Sequence, residues 1–533
     1  MCRHHPPCPA ADAPDREAAK VITSALSQGW AALCNGVIVF EDTGELLPDG
    51  RVIAPHRPAA QSDRPAVRAK GLRTQATAQR SSTPARALSP PFPRGARAGL
   101  RTISNRPLGA RAPRRRPHVD TVPGMTNDDH KNAPASEQDL RDDMVRELIE
   151  KGALRSPGVV AAFRKVPRHL VASGVEMAKC YSVEEPLITK TDSSGVHISS
   201  VSAPRIQAIQ IEQADIQPGM NVLEIGSGGV NAAYLAELVG ERGNVVTVDI
   251  DPEVAQRAKG FIKDTGYRNV TIICDDGGNG AIDHQPFDRI VVTVQAADIP
   301  SSWLHQLTTE GRLVVPLRMR GMTRTIAFVR DDHRLISDGV ELCGFVPMQG
   351  AGENRMQVVL IHDVPGEEVG LRLDGHPEPD TKALAAALRT PRTEAWSGVM
   401  LAGDESNEHL DLWLTTALDN LPLMAAEPAA RERGLVASAS PLGVPTLVDG
   451  DSFAYRTVRR TEDPDRFELG ALGHGPRGQQ VAERLAAEMR TWDREHRGDR
   501  AHIEVYPAGT PDDQLPAGRV IDRQHSRVTI SWP

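Results

Sequence analysis

Between residues 221 and 330 short apolar runs alternate with amphipathic stretches, the rhythm of strands and helices taken in turn. Asn221–Ile225 (NVLEI) predicts a buried strand, and Ala232–Leu238 predicts the helix that follows it. Asn244–Asp249 (NVVTVD), Val270–Cys274 and Arg289–Val294 are the next strands, with GRLVVPL and RTIAFVR supplying later ones. Strands apolar along their whole length belong to a sheet covered on both faces, so this region predicts a doubly wound α/β fold.

The last third has a different rhythm. Thr381–Leu388, Glu408–Leu418 and Gln479–Trp492 predict helices, and Phe453–Val458, Phe467–Leu472, His502–Tyr506 and Val528–Trp532 predict strands. In Gln479–Trp492 the residues Val481, Leu485, Met489 and Trp492 fall on one face, with Glu483, Arg484, Glu488 and Arg490 between them, which is a core stripe with a solvated back. DVPGEEVGLRLDGHPEPD, rich in Gly, Pro and acids, separates the two rhythms. The expected layout is therefore a domain over 125–364 and a smaller C-terminal α/β domain over 365–533.

At the other end, residues 1–57 read as strand, turn, strand, with Val37–Phe40 and Val52–Ala54 as the strands. Residues 58–124 carry fourteen Lys or Arg against Asp63 and Asp120, with few large apolar side chains. Such a stretch buries too little surface to offset its ordering entropy. Its arginines lack the aromatic interleaving or helical period of a nucleic-acid arm, so it reads as a disordered linker. Met125 opens a polar lead-in to the first helix and is expected to be the enzyme's own start, with 1–124 an upstream reading frame joined to it.

Composition adds bounds. A chain of 533 residues exceeds one hydrophobic core, so two to four domains are expected. The 40% apolar and 25% charged content, with net charge −8, is that of an ordinary soluble protein. No run of eighteen apolar residues predicts a membrane span, and the N-terminus lacks an apolar signal core, so a cytoplasmic location is expected. Of six cysteines, Cys180, Cys274 and Cys343 are scattered singly, as reduced thiols are. Cys2, His4, Cys8 and Cys34 make a candidate tetrahedral zinc set; the alternative is unrelated thiols, because C-x-H-x3-C matches no strong ligand spacing.

The candidate chemistry sits at the first turn of the alternating region. Gly226, Ser227, Gly228 and Gly229 join strand to helix, and Asp249 ends the next strand, 25 residues after Glu224. A Gly-rich turn lets a ligand approach the backbone, and an acid there binds ribose hydroxyls. Dinucleotide enzymes want G-x-G-x-x-G, whereas this chain has G-S-G-G-V-N-A preceded by an acid. An acid beside the turn suits the cationic amino group of S-adenosyl-L-methionine, so the methyl donor is the favoured ligand. Glu224, Gly226, Ser227, Gly228, Asp249 and Ile250 are its candidate contacts, and Asp276 and Gly277 sit where adenine is read.

VLEIGSGG, VTVDIDPE, DDGGNG, PFDRIVVT, GRLVVPL and FVPMQG, in that order after KVPRHLV, resemble the protein-L-isoaspartate O-methyltransferase family over about residues 145–355. The resemblance implies a Rossmann-like class I methyltransferase domain and a protein or peptide substrate bearing Asp or isoAsp, not a nucleic acid or a membrane. It also implies that Ser200-Val201-Ser202-Ala203-Pro204 is the substrate motif, with Ser202 as the active-site serine and Ser199, Ser200 and Val201 beside the substrate. Ser202 is also expected to cap the helix Arg205–Ala214. His197 reads as a loop histidine, because methylating an ionised carboxylate requires no base.

Two departures from the family stand out. Thr189–His197 is longer and more polar than the family's equivalent, and the chain continues well past FVPMQG. That arrangement resembles actinobacterial homologues of the FxLD-system type, which implies an aspartate of a ribosomally made, lanthipeptide-like precursor as methyl acceptor, with residues 365–533 helping to bind the peptide. Residues 1–57 resemble a short actinobacterial family of unknown function through MC-x-H-x-PPCP, LCNG and FEDTGELLPDG.

Overall fold

The computed structural model describes residues 136–533 other than 173, 192–196, 227, 404, 438–442 and 464, together with the backbone of five short strands between residues 21 and 53. The candidate zinc ligands Cys2, His4, Cys8 and Cys34, the linker and Met125 lie outside the described residues. The five strands, β1 (Val21–Ala25), β2 (Trp30–Leu33), β3 (Ile38–Phe40), β4 (Gly44–Leu46) and β5 (Val52–Ile53), form an antiparallel meander. The two strands expected there correspond to β3 and β5, and the segment read as a turn holds β4.

The chain divides into two compact units, one of Leu100–Asn354 with Arg500–Pro533, the other of Met1–Gly99 with Arg355–Asp499. The first opens with α1 (Glu137–Glu150), whose start is fixed by a capping box between Ser136 and Asp139. α2 (Pro157–Lys165), a 3-10 turn (Arg168–Val171) and α3 (Met177–Cys180) follow. Next come a hairpin of β6 (Leu187–Thr191) and β7 (His197–Val201), then α4 (Pro204–Ala214).

From there the alternation predicted by the sequence is observed. β8 (Asn221–Ile225), α5 (Val230–Val239), β9 (Asn244–Asp249), α6 (Pro252–Thr265), β10 (Val270–Cys274), β11 (Phe287–Val292), α7 (Ser301–Gln306) and β12 (Leu307–Met319) run in order. β13 (Met322–Asp331) and β14 (Arg334–Leu342) then turn antiparallel. In the sheet the order is β10-β9-β8-β11-β12, all parallel. Strand order reverses between β8 and β11, so the ends of these two strands open the crevice where ligands of such sheets bind. α5 is buried nearly all round because it lies inside the core, with Tyr234 stacked on Phe163 at 4.1 Å between centroids.

The second unit carries β15 (Gln357–His362), β16 (Val369–Leu373), α8 (Thr381–Leu388), β17 (Thr393–Ala402), α9 (Glu408–Ala417), β18 (Leu423–Ala426), α10 (Pro428–Glu432), β19 (Val444–Asp449), β20 (Ser452–Arg460), β21 (Arg466–His474) and α11 (Gly478–Glu495). Its strands form one sheet in the order β15-β16-β18-β19-β20-β21-β17. The stripe on α11 is core, as its spacing implies: Val481, Leu485, Met489 and Trp492 are buried against Leu410 and Leu414 of α9.

The domain boundary is where the structure corrects the sequence reading. β22 (His502–Pro507), β23 (Arg519–Asp522) and β24 (Ser526–Ser531) leave the second unit and extend the first sheet as β14-β22-β24-β23. Residues 365–533 are therefore not one domain; a segment of 355–499 interrupts a ten-stranded sheet. Strand patterning reports that β22 and β24 are half-buried, not which distant strand they pair with.

Candidate active site

The cleft opens at the carboxyl ends of β8 and β11 and holds about 800 Å3 counted out to its mouth. Its donor half begins at Gly226, just after β8, where φ is 95° and a Cβ would lie 2.6 Å from Thr293 Oγ1. Only glycine fits there without strain. Thr293 Oγ1, just beyond β11, donates to Gly226 O at 2.6 Å, so the switch-point strands are tied where they part. Gly229 begins α5 at φ 83°, with Ala258 Cα of α6 only 3.2 Å from where a Cβ would stand.

Glu224 is fully buried below the turn. Burial pushes its carboxyl up to about 7, while hydrogen bonds from Thr247 and Asn231 pull the other way. Thr247 Oγ1 donates to Glu224 Oε2 at 2.5 Å. Oε1 is left without a hydrogen bond of good geometry, as are both amide atoms of Asn231. Glu224 and Asn231 both line the cleft, so a ligand with a cationic amino group can donate to the open Glu224 and Asn231 oxygens. Asp249, Ile250 and Gly277 line the same half, and Gly277 lies so close under Ile225 that a Cβ would be 2.5 Å from its side chain. These residues fit S-adenosyl-L-methionine.

Two donor-side candidates stand differently. Asp276 turns its carboxylate to the backbone, accepting from Gly278 N at 2.8 Å and from Ala351 N at 2.6 Å. It thereby ties the turn after β10 to the loop after residue 349, and its neighbour Gly277 is the one that lines the cleft. Ser227 lies outside the described residues.

The acceptor half is the hairpin strand β7 and its continuation. Ser199, Ser200, Val201 and Ser202 all line the cleft, facing Val346–Gln349. The polar stretch expected as a loop from Thr189 to His197 instead begins and ends in the paired strands β6 and β7; the side chain of His197 is not described. α6 holds this hairpin in two places. Lys190 Nζ pairs with Asp251 at 2.7 Å and with Glu253 at 2.8 Å, and Arg257 donates to Thr189 Oγ1 at 3.0 Å, which itself bonds Ser199 Oγ at 2.9 Å. Ser202 is not the cap of α4. The cap position is Ala203, without a side-chain hydrogen bond, and Pro204 occupies the first turn, where its missing N–H leaves no donor to satisfy. The Ser202 hydroxyl is thus not committed to capping.

Sequence reading missed Asn231, Thr293, Gln207 and Val346–Gln349 as cleft residues. Asn231 had a signal, a lone amide inside the apolar helix VNAAYLAELV. Thr293 and Gln207 had none, because only the sheet crossover brings them in.

The family model described as Protein-L-isoaspartate(D-aspartate) O-methyltransferase (PCMT) matches residues 139–353, and that described as Family of unknown function (DUF5999) matches residues 2–58. The protein-L-isoaspartate O-methyltransferase of Methanothermobacter thermautotrophicus is 35% identical over 217 residues, 40% of this chain and 96% of that one. That of Methanococcoides burtonii is 36% identical over 214 residues, 39% and 98% of the two chains. A solved protein-L-isoaspartate O-methyltransferase aligns at 22% identity over 62% of this chain and 87% of that one, with a TM-score of 0.38. With relatives matched almost end to end at this identity, the chain belongs to the protein-L-isoaspartate O-methyltransferase family.

Proposed function

We propose that the cleft methylates a side-chain carboxylate of a peptide or protein, and that the preferred acceptor is an aspartate in a dedicated, ribosomally made precursor peptide of lanthipeptide type. The chain is an S-adenosylmethionine-dependent carboxyl O-methyltransferase, as its family is. The observation that carries the reading is that Glu224, Ile225, Gly226 and Gly228 of the donor turn and Ser199–Ser202 of the acceptor strand line one cleft. Bound there, S-adenosyl-L-methionine supplies an electrophilic methyl group.

The chain's own residues have little acid–base work. A carboxylate with a pKa near ~4 is ionised at neutral pH and needs no general base. What remains is positioning, and Ser202 with the neighbouring backbone orients the carboxylate in line with the methyl group. In the dedicated-substrate reading the ester then loses methanol to the next backbone nitrogen, closing a succinimide that water opens to isoaspartate or aspartate. The polar stretch Thr189–His197, longer than in the family it resembles, and the interruption at 355–499, which lies beyond the family match at 139–353, support this reading. Residues 355–499, rather than the whole of 365–533, are the part offered to the peptide.

General repair of isoaspartyl residues is the second reading, favoured by what the relatives are called. The test offers the enzyme a short linear isoaspartyl peptide and a cyclised Asp-bearing precursor in competition, and repeats both with Ser202→Ala. Preference for the precursor, with transfer slowed about tenfold or more by S202A at unchanged donor affinity, is expected. Equal or better use of the linear peptide selects repair.

A further inference from the structure

Behind the acceptor strand lies a charge that the reaction described so far does not use. Arg168, in the 3-10 turn after α2, is 0% exposed. Its Nη1 donates to Gln207 Oε1 at 2.8 Å and its Nη2 to Ser202 O at 3.2 Å, the guanidinium also hydrogen-bonds the Tyr234 phenol, and Nε makes no hydrogen bond of good geometry. The groups that feel its charge are the Cys180 thiol and the Tyr181 and Tyr234 phenols, all pushed up by burial and drawn back by the guanidinium. No carboxylate among the described residues pairs with it. The neighbouring buried arginines differ, since Arg205 has Glu184 at 3.0 Å and Arg141 has Glu137.

A buried guanidinium without a counter-ion is destabilising, and carbonyl and amide contacts only partly offset it. Of the groups it touches, Ser202 and Gln207 are residues of the cleft wall, while the Tyr234 phenol lies in the core behind them. Accepting from Arg168 on Oε1 also fixes which end of the Gln207 amide is spent, leaving the Nε2 hydrogens for an acceptor in the cleft.

We infer that Arg168 is the positioning residue for the acceptor carboxylate, a fixed countercharge that acts through Gln207 and the Ser202 backbone. The inference rests on the carboxylate reading above and adds the source of its selectivity. The substrate's negative charge supplies the missing partner, so an aspartyl peptide is held and its uncharged asparaginyl counterpart is not. A lysine in this place keeps the charge but loses the fork that reaches both partners at once.

The experiment uses the full chain with S-adenosyl-L-homocysteine bound, and measures competition between two peptides that differ only as Asp and Asn. The unmodified protein is expected to favour the Asp peptide by about tenfold or more, and Arg168→Met to reduce that preference to near unity. Donor affinity should stay within about twofold, while kcat/KM for methyl transfer falls about 10- to 100-fold. Arg168→Lys should recover part of the Asp preference. Gln207→Leu, which leaves the buried charge in place and removes its relay, should lose the preference too and decides the matter if R168M does not fold. A variant that binds donor normally and still prefers Asp as strongly as the unmodified protein overturns the role of Arg168. If the unmodified protein methylates no carboxyl peptide, the carboxylate reading itself fails, and this inference with it.

Discussion

The two halves of the cleft are built in opposite ways. The donor half comes mainly from one stretch, Glu224 to Gly277, in which most contacts sit at the end of a strand or in the turn after it, with Asn231 on the first turn of α5. The acceptor half is assembled from pieces far apart in the chain: Arg168, the hairpin β6–β7, Gln207 on α4 and Val346–Gln349. The first depends on backbone conformation and one buried acid. The second depends on hydrogen bonds and ion pairs between segments, which makes it the half that can change its substrate without disturbing the donor.

The comparison breaks most sharply at Gly226. An alanine there combines a φ of 95° with a Cβ 2.6 Å from Thr293 Oγ1. Such strain and overlap together are worth about 3 kcal/mol, so affinity for S-adenosyl-L-homocysteine by calorimetry should fall about 100-fold. A loss under about threefold would mean that the backbone turn does not govern the donor half.

Glu224 gives an intermediate effect with a defined pH window. Its folded-state pKa is raised from the ordinary 4.5 to about 7, so the donor-free fold favours the protonated acid. That stability is fully present below about 4.5 and is lost as pH rises through about 7, at most about 3 kcal/mol in all. Glu224→Gln should therefore raise the melting temperature of the donor-free protein at pH 8 and change it little at pH 4.5. Donor binding runs the other way. A cationic amino group needs the ionised acid, so affinity should tighten by about tenfold between pH 6 and 8 and become nearly flat in E224Q. A pH-independent affinity in the unmodified protein would remove Glu224 from the donor half.

The smallest effect is expected on the acceptor side. Lys190 is about one-third exposed and joins the hairpin to Asp251 and Glu253 on α6. Ion pairs of this kind are weak and screened by salt. Lys190→Met should raise the peptide KM two- to threefold, about as much as high salt does to the unmodified protein, with donor affinity unchanged. An equal loss of donor affinity would show that the two halves are not independent.

Legibility followed the same division. NVLEI, NVVTVD and the glycines between them could be read as strand, turn and strand because period, turn chemistry and terminal acid all lie within one window. Asp276 was placed in the right turn, but its tie to the Ala351 N–H could not be read, since that residue lies 75 positions away and is invisible to local pattern. Ser202 was expected to cap α4, yet the proline two residues later moves the helix start to Pro204 and leaves that hydroxyl for the cleft. Arg168 lies in KVPRHLV, a stretch that carried the family resemblance, but nothing local marks it as buried; only its contacts with Gln207 of α4 and Tyr234 of α5 make it a buried charge.

By itself the sequence determined the doubly wound sheet, the Gly-rich turn after β8 and the core stripe on α11, because each is a local pattern of burial and backbone freedom. Tertiary structure decided that β22–β24 complete the first sheet, that Asp276 serves the backbone, and that Arg168 lies behind Ser202. These depend on which distant segments meet, and hydrogen-bond partners and buried charges become defined only when they do.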